Sequence, residues 1–395
     1  MSLELAIEGG TPVREKFLPF CQPNISKEEI DEVVDTLNSD WITTGPKTKE
    51  FEKRFAQYVG AKYALAVSSA TAGMHLSLIA SGIGKGDEVI TTPYTFAATA
   101  NVIIHSQAKP VFVDINKDTF NIEPAKIEEA ITHKTKAIIP VHFAGQSCQM
   151  DEILQIAKRN KLVVIEDAAH AVSSEYKGKK IGSIGDVTAF SFYATKNLTT
   201  GEGGMVTTND DELADKIAVL SLHGISKDAW KRYGAQGSWY YEILYPGFKY
   251  NMTDIQASIG LHQLAKIEEF LKIRLEYVKM YQQAFKELPQ IITPQNVIPG
   301  RHVWHLYCIL INLITINRDK FIEALASEGI GTSVHFIPIH LHPFYQNTFG
   351  FKKGDFPNAE WVYEREISLP LHPKLTKKDV KDVILAVKKI VDRYK

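Results

Sequence analysis

The sequence contains little cysteine and almost no net charge. Its 395 residues include three cysteines, which are scattered, odd in number and without the spacing of a metal site. We therefore expect a reducing compartment and no disulfide framework. The formal net charge of -1 at pH 7 gives no electrostatic reason to expect binding to nucleic acid or to an anionic membrane.

Targeting and membrane-spanning segments are also missing from the pattern. The first residues lack a basic stretch followed by an apolar core, and no apolar run is long enough to cross a bilayer. Neither an internal repeat nor a low-complexity segment is present. Because 45% of the residues are hydrophobic, we expect a globular, cytoplasmic protein with a core large enough for two domains.

Two apolar runs predict buried parallel strands that end in reactive side chains. Residues 162–165 lead into Glu166 and Asp167, and residues 187–192 are followed by Lys196. Ligands of α/β proteins bind at the carboxyl ends of such strands. An acid at one strand end and a lysine past another are what pyridoxal phosphate (PLP) requires, since the lysine forms a Schiff base and the acid keeps the pyridine nitrogen protonated.

Each of these two residues also has an ordinary structural interpretation. A single lysine is usually a solvated surface group, and an aspartate after a strand often caps a helix. Lys196, however, follows a buried strand and precedes the glycine-rich turn at residues 199–204. Burial there would lower the pKa of the lysine and make it nucleophilic, so we predict Lys196 and Asp167 as catalytic residues.

A third strand predicts an anion site. Residues 64–67 break into the small polar turn 68–71, and an apolar helix follows. Free backbone N–H groups and the helix dipole meet at such a turn, which predicts that Thr71 and Ala72 hold the cofactor phosphate. The alternative is an ordinary helix N-cap.

Strands and helices alternate over the first part of the chain, which predicts a mostly parallel sheet. The expected fold is α/β, with a large PLP-binding domain at residues 26–250 and an N-terminal segment at 1–25. A small α+β C-terminal domain is expected at residues 251–395, with a strand at 304–311 and a closing helix at 377–393. Thr253 is predicted to cap a long helix that bridges the two domains.

Together these motifs resemble those of the DegT/StrS family, the fold-type I PLP aminotransferases that aminate keto sugars on nucleotides. The resemblance runs from about Pro19 to the C-terminus, and within the family it is greatest to the UDP-4-amino-4-deoxy-L-arabinose aminotransferase type. It is carried by residues 41–46, 68–75, 166–170, 191–196 and 247–251.

The resemblance implies roles for further residues. Phe96 would lie against the pyridine ring, His170 would bond the phenolic oxygen of PLP, and Ser191 would contact the phosphate. Lys249 or Asn251 would reach the phosphate site of a second subunit, which implies a homodimer with shared active sites. Many relatives read Asn-Tyr-Arg where this chain reads Lys-Tyr-Asn, which leaves open which residue makes the contact. Phe96 and Ser191 also have structural interpretations, as a core aromatic and a strand serine.

The expected substrates are a nucleotide-linked sugar and, by resemblance, glutamate. The segment 223–246 is long for a simple connection, so it is predicted to face the substrate with Arg232. His335 is predicted to close over the substrate at the end of a small-domain strand, with a structural histidine as the equal alternative. The glutamate carboxylate needs a cation, for which Arg232, Lys249 and Arg301 are unranked candidates.

Three other functions fit the sequence less well than a sugar aminotransferase. A PLP sugar dehydratase of the same family carries histidine in place of Lys196. A non-catalytic regulatory relative would not need Asp167, His170 and Lys196 together. A nicotinamide dehydrogenase is disfavoured because residues 201–204 lack the dinucleotide-binding spacing. The sequence therefore predicts an aminotransferase without a metal site.

Overall fold

The computed structural model describes residues 4–226, 240–312 and 315–395. Its strands are β1 (Tyr63–Val67), β2 (Glu88–Thr91), β3 (Lys109–Phe112), β4 (Thr135–Ile138), β5 (Val163–Asp167), β6 (Glu175–Tyr176), β7 (Lys179–Lys180), β8 (Val187–Ser191), β9 (Gly204–Thr208), β10 (Ile291–Ile292), β11 (Gly300–Arg301), β12 (Tyr307–Ile311) and β13 (Glu366–Leu369). Its helices are α1 (Lys27–Asn38), α2 (Pro46–Val59), α3 (Ala70–Ala80), α4 (Ala97–His105), α5 (Pro124–Ala130), α6 (Met150–Asn160), α7 (Asp211–Leu220), α8 (Asp254–Phe285), α9 (Arg318–Ser327), α10 (Pro343–Phe349), α11 (Pro357–Tyr363) and α12 (Lys377–Tyr394).

A seven-stranded sheet forms the centre of the large domain. The strand order is β1-β9-β8-β5-β4-β2-β3. All neighbours pair in parallel except β9, which is antiparallel to both β1 and β8. The predicted α/β fold with a mostly parallel sheet is therefore confirmed. Strand β9, whose five residues follow the glycine-rich turn, was not predicted from the sequence.

The sheet is covered by apolar helices, as a buried parallel sheet requires. Every residue of β2 and β8 is buried, and α3 buries nine of its eleven positions between the sheet and α4 and α7. This packing leaves the carboxyl ends of β5 and β8 open toward the small domain. Parallel strands deliver their terminal side chains to one edge, and here that edge faces a cavity.

A second core lies in the C-terminal part of the chain. Strands β10, β12 and β13 form a three-stranded sheet that packs with α9 and α12. The N-terminal segment joins this core through Leu5 and Leu18. Helix α8 contributes its first half to the large core and its second half to the small one. This supports the predicted bridging helix, whereas the domain boundary at residues 250 and 251 stays a prediction.

The predicted strand ending at His335 is wrong. Only Ser333 forms a bridge, which pairs it with Ser368. The backbone of His335 is bonded to side chains, because its N–H donates to Glu366 Oε2 at 2.8 Å and its carbonyl accepts from the Tyr94 hydroxyl at 2.6 Å. These bonds replace the ladder that a strand would form. Among the residues described, no helix is long and apolar enough to cross a membrane.

Candidate active site

A cavity of about 560 Å³ lies at the carboxyl ends of β5 and β8, between the two cores. Its wall combines large-domain residues with residues of the N-terminal segment and the small domain. Seven of the side chains predicted from sequence line it, and these are Thr71, Phe96, Asp167, His170, Ser191, Lys196 and His335. The fold thus gathers into one site residues that are far apart in the chain.

Lys196 presents its amine to this cavity. The residue follows β8 in a turn in which its backbone N–H donates to the Tyr193 carbonyl at 2.9 Å. Burial lowers the pKa of the Lys196 ammonium to about 8, against the opposing effect of the Asp167 carboxylate. Within the described ranges, no hydrogen bond or ion pair occupies the amine. The lowered pKa raises the neutral fraction at pH 7 to about a tenth, far more than in an ordinary lysine, which makes the amine a better nucleophile.

Asp167 ends β5 and is held in place by two donors. The residue is 5% exposed. The Thr99 hydroxyl donates to Oδ2 at 2.7 Å, and the Ala169 N–H donates to Oδ1 at 3.1 Å. Thr99 itself contacts Thr95 at 2.8 Å. The carboxylate is therefore fixed in orientation at the cavity wall, where it can accept a further bond from a ligand N–H.

His170 lies three residues beyond Asp167 in a non-helical turn, and its tautomer follows from its contacts. The Ala144 N–H donates to His170 Nδ1 at 3.3 Å, so Nδ1 carries a lone pair and Nε2 carries the proton. Burial, followed by the positive charge of Lys196, lowers the pKa of His170 well below its usual value. The ring is neutral and offers one N–H donor to the cavity.

The predicted anion turn is present at the start of α3. Ser69 is the N-cap, and its hydroxyl accepts from the Ala72 N–H at 3.0 Å. Ser69, Ala70 and Thr71 line the cavity, whereas Ala72 does not, and the Ala72 N–H is already occupied by the cap. Ser69 was not predicted as a cavity residue. Ser191, which was predicted to contact the phosphate, does line the cavity, and its Oγ accepts from the Tyr193 N–H at 3.4 Å.

Glycine at position 204 permits the close approach of β9 to this turn. A Cβ atom there would lie 2.5 Å from the Ser69 carbonyl carbon and 2.7 Å from the Ala70 nitrogen. No side chain fits at these distances, so the backbone of the anion turn rests directly on β9. The turn immediately before β9 contains Glu202. This residue also lines the cavity and was not predicted from the sequence.

The mouth of the cavity carries exposed aromatic rings. Phe96 is 64% exposed and lies 6.1 Å from Phe336, measured between ring centroids. Tyr193 is 48% exposed beside it in the cavity wall. Phe96 is therefore not the core aromatic of the alternative interpretation, and one face of it is available to a ligand or to another chain.

The Lys249–Asn251 motif lies close to the anion turn. It was expected to reach the phosphate site of a second subunit, and its backbone runs beside the anion turn of its own chain: the Ser68 N–H donates to the Tyr250 carbonyl at 2.7 Å, and Asn251 bridges to Val67. The reason is that the chain entering α8 pairs with the end of β1. The Lys249 amine donates to Asn251 Oδ1 at 2.6 Å, and neither side chain lines the cavity of its own chain.

One candidate cation for a substrate carboxylate, Arg301, lies outside the cavity wall. Arg301 pairs with Glu175 at 3.2 Å and with Glu268 at 3.0 Å, and it does not line the cavity. It is therefore already neutralised and was wrongly included. Arg232 lies outside the residues that the structure describes. Within the described ranges, no group of three or more acidic, histidine or cysteine side chains is placed to hold a metal ion.

These residues fit PLP. The cavity provides an unoccupied lysine amine, a fixed carboxylate, a neutral histidine N–H and an anion turn at a helix N-terminus. Each has a counterpart on the cofactor, namely the aldehyde, the pyridine nitrogen, the phenolic oxygen and the phosphate. This site on an α/β sheet defines a fold-type I PLP enzyme.

Comparison with known proteins gives the narrower class. The sequence profile of the DegT/DnrJ/EryC1/StrS aminotransferase family matches residues 23–388. The chain belongs to this family. It is 65% identical over 381 residues to the uncharacterized protein MJ1066 of Methanocaldococcus jannaschii, covering 96% of this chain and 99% of that protein. It is 58% identical over 381 residues to the spore coat polysaccharide biosynthesis protein SpsC of Bacillus subtilis, covering 96% and 98%.

A solved structure agrees with this assignment. The PLP form of the putative sugar aminotransferase Spr1654 from Streptococcus pneumoniae superposes with a TM-score of 0.89 at 38% identity, covering 96% of this chain and 100% of that one. The protein is a PLP-dependent sugar aminotransferase, and its cofactor is PLP.

Proposed function

We propose that the enzyme moves an amino group from glutamate to a 4-keto sugar carried on a nucleotide, UDP or dTDP. The observation that carries the proposal is the unpaired Lys196 amine in the cavity wall beside the fixed Asp167 carboxylate. The product would serve the synthesis of a cell-surface glycan or an antibiotic sugar. SpsC, named for spore coat polysaccharide biosynthesis, supports the former. The resemblance to the arabinose type and a cytoplasmic location stay predictions.

The residues of the cavity divide the work of the reaction. When bound, PLP supplies an electron sink for the carbon that gains or loses the amine. Lys196 would hold the cofactor through its amine and, once released by a substrate amine, would move a proton to and from the reacting carbon. Asp167 would accept a hydrogen bond from the protonated pyridine nitrogen, and His170 would donate a hydrogen bond from its Nε2–H to the phenolic oxygen. Ser69, Thr71 and Ser191 would hold the phosphate.

We further propose a homodimer in which each site is completed by the second copy. Three apolar residues of α1, namely Ile30, Val34 and Leu37, are 55%, 51% and 55% exposed. The exposed Phe96 at the cavity mouth also lacks a cover from its own chain within the described ranges. Neither Lys249 nor Asn251 lines the cavity of its own chain, and Lys249 is exposed, so its amine can reach a neighbouring copy. A dimer accounts for all three features.

The cavity wall, as far as the chain is described, contains lysine and histidine but no arginine. The cation for the carboxylate of glutamate must then come from elsewhere. Arg232 in the substrate-facing segment and Lys249 of a second copy remain the two candidates. His335, which lines the cavity, is proposed to contact the sugar.

The test separates the two half-reactions. Glutamate alone should release 2-oxoglutarate and change the visible spectrum of the holoenzyme, and the keto sugar nucleotide alone should then restore the spectrum. Initial rates with both substrates varied should give parallel double-reciprocal lines, because one lysine and one cofactor serve both substrates in turn. The Lys196→Ala variant is the control and should do neither. Intersecting lines without a spectral change on glutamate would contradict the mechanism.

A further inference from the structure

A hydrogen-bonded chain of three side chains lies behind the cavity at His335. His335 Nδ1 is 2.8 Å from Ser368 Oγ, and Ser368 Oγ is 2.5 Å from Glu366 Oε1. The other carboxyl oxygen, Oε2, accepts from the His335 backbone N–H at 2.8 Å. Glu366 and Ser368 are fully buried, whereas His335 lines the cavity. The chain therefore connects a buried acid to the surface that the substrate meets.

When Glu366 is ionised, the direction of every bond in this chain is fixed. A carboxylate only accepts, so the Ser368 hydroxyl donates to Oε1. The Ser368 oxygen then accepts from His335 Nδ1–H, and the neutral imidazole keeps a lone pair on Nε2. His335 presents an acceptor to the cavity in this state.

When Glu366 is protonated, the bonds reverse. Oε2 faces a backbone N–H, so it stays an acceptor and the proton must sit on Oε1. The carboxylic acid then donates to Ser368 Oγ, and the Ser368 hydroxyl turns to donate to His335 Nδ1. The proton of the imidazole is now on Nε2, and His335 presents a donor to the cavity. One proton on a buried residue changes what the cavity offers.

The groups that surround Glu366 allow it to change charge near neutral pH. Burial raises the pKa of Glu366 to about 7, although the Ser368 hydroxyl and the His335 N–H favour the ionised form. Arg318 on α9 also favours ionisation, and the Cys308 thiol on β12 faces the same carboxyl. The Tyr94 phenol is the remaining titratable neighbour, and burial keeps it neutral by raising its pKa.

The imidazole of His335 stays neutral through the same range. Burial, and next the positive charge of Lys196, lower the pKa of His335 to about 4. His170 and His305, which face it across the cavity, are neutral as well, because burial lowers the pKa of each well below its usual value. Among the three hydrogen-bonded side chains, Glu366 is therefore the one whose charge changes around pH 7.

We propose that Glu366 and Ser368 are positioning residues that set the direction of the hydrogen bond His335 offers to the sugar. Ionised Glu366 makes Nε2 an acceptor, which selects a sugar hydroxyl as the donor, and protonated Glu366 makes Nε2 a donor. The inference rests on the proposed function for the identity of the ligand as a sugar. The tautomer of His335 itself does not depend on that identity.

The experiment reads this tautomer directly. Holoenzyme labelled with 15N-histidine is followed by two-dimensional NMR between pH 5.5 and 8.5, and the His335 signals are assigned from their loss in His335→Gln. In the wild type, the proton should move from Nε2 to Nδ1 as the pH rises, in a one-proton transition with a midpoint near 7. Glu366→Gln places an amide donor at the Oε1 position, so it should hold the proton on Nε2 at every pH.

Ser368→Ala removes a single hydroxyl and provides the second variant, in case Glu366→Gln folds poorly. Its His335 tautomer should not respond to pH. The internal control is His142, whose Nδ1 accepts from the Cys148 N–H at 3.0 Å and whose Nε2 faces Glu166 at 2.8 Å. The backbone donor fixes that tautomer, so its signals should not exchange roles. A His335 tautomer that stays the same at all pH values in the wild type and in Glu366→Gln would overturn the inference.

A kinetic measurement links the tautomer to catalysis. The ratio kcat/KM for the keto sugar nucleotide should fall below pH 7 in the wild type and lose this dependence in Ser368→Ala, while glutamate-dependent 2-oxoglutarate release keeps its pH profile. Sugar kinetics with the same pH profile in both proteins would also overturn the inference. If no keto sugar reacts at all, the proposed substrate is wrong, and the NMR result still decides the hydrogen-bond reversal.

Discussion

Among single residues, Lys196 has the clearest pH signature. Its lowered pKa of about 8 means that the amine is protonated below this pH and neutral above it. Because only the neutral amine attacks an aldehyde, the rate of PLP uptake by apoenzyme should rise about tenfold per pH unit and level off near pH 8. The rate at which Nα-acetyl-lysine reacts with PLP should instead keep rising to about pH 10.4. Stopped-flow absorbance measures both rates.

The Asp167 carboxylate affects the pH at which this rate levels off, and the direction of the effect is known. It raises the pKa of Lys196, in opposition to burial. The Asp167→Asn variant should therefore shift the levelling-off point to lower pH. An unchanged levelling-off point would show that the two groups do not interact across the cavity.

Turnover should depend more on Asp167 than on Thr99, whose hydroxyl holds the Asp167 carboxylate. Asp167→Asn keeps the lysine linkage but loses a bond to a charged nitrogen, which is worth about 1.5–3 kcal/mol or about 10- to 100-fold in rate. Thr99→Val removes one donor from Asp167 Oδ2 and should cost no more than about tenfold, since the acid remains. Steady-state kcat of both variants gives the comparison. Equal losses would mean that orientation, and not charge, is the contribution of Asp167.

Sequence alone could predict Lys196, Asp167 and the anion turn because each follows a recognisable apolar strand. It could not predict Thr99, which bonds Asp167 across 68 positions of sequence. The same holds for Glu366 and Ser368, which reach His335 from more than thirty positions away. Nothing local marks these residues as different from other polar groups within helices and strands. They are found only when the fold brings their atoms together.

For the elements, strands and helices with a strong local signal were predicted well. Thr253 caps α8 as expected, and a capping box at Ser26 likewise starts α1, because a capping box depends only on residues that are neighbours in the sequence. The antiparallel β9 was missed, since its pairing with β1 and β8 depends on distant partners. The strand expected to end at His335 is absent because the side chains of Glu366 and Tyr94 hydrogen-bond to the backbone N–H and carbonyl of His335.

The contact between β9 and the anion turn predicts a specific sensitivity. Gly204→Ala places a methyl group against the Ser69 and Ala70 backbone, and overpacking of this kind costs about 1–3 kcal/mol. Both the melting temperature and the affinity for PLP should fall, because the turn that faces the phosphate is pushed away. Gly84→Ala is the matched control: its nearest neighbour would be 3.8 Å away.

Thermal unfolding with and without PLP distinguishes the two effects. Gly84→Ala should change stability by less than about 0.5 kcal/mol and leave PLP affinity unchanged. If Gly204→Ala lowers the melting temperature but binds PLP as tightly as the wild type, the turn does not hold the phosphate.

For the whole molecule, the homodimer gives a prediction at the apolar face of α1. Leu37→Glu puts a charge on a residue that is 55% exposed in one chain but would be buried between two. Sedimentation velocity should show a shift from dimer to monomer together with a loss of activity, because burying an unpaired charge is costly. Ala326→Glu, on an exposed position of α9, adds the same charge and should remain dimeric. A wild-type enzyme that is monomeric and fully active would refute the shared site.

The N-terminal segment has a consequence for synthesis of the protein on the ribosome. Leu5 and Leu18 pack in one core with Val387 and Ile390 of α12, and Arg393 pairs with Glu8 at 3.0 Å. Since chains emerge from their N-terminus, this segment leaves the ribosome before α12 and cannot complete its core until α12 has followed. The nascent chain therefore carries an unpacked leading segment, and α12 is the element that finally secures it.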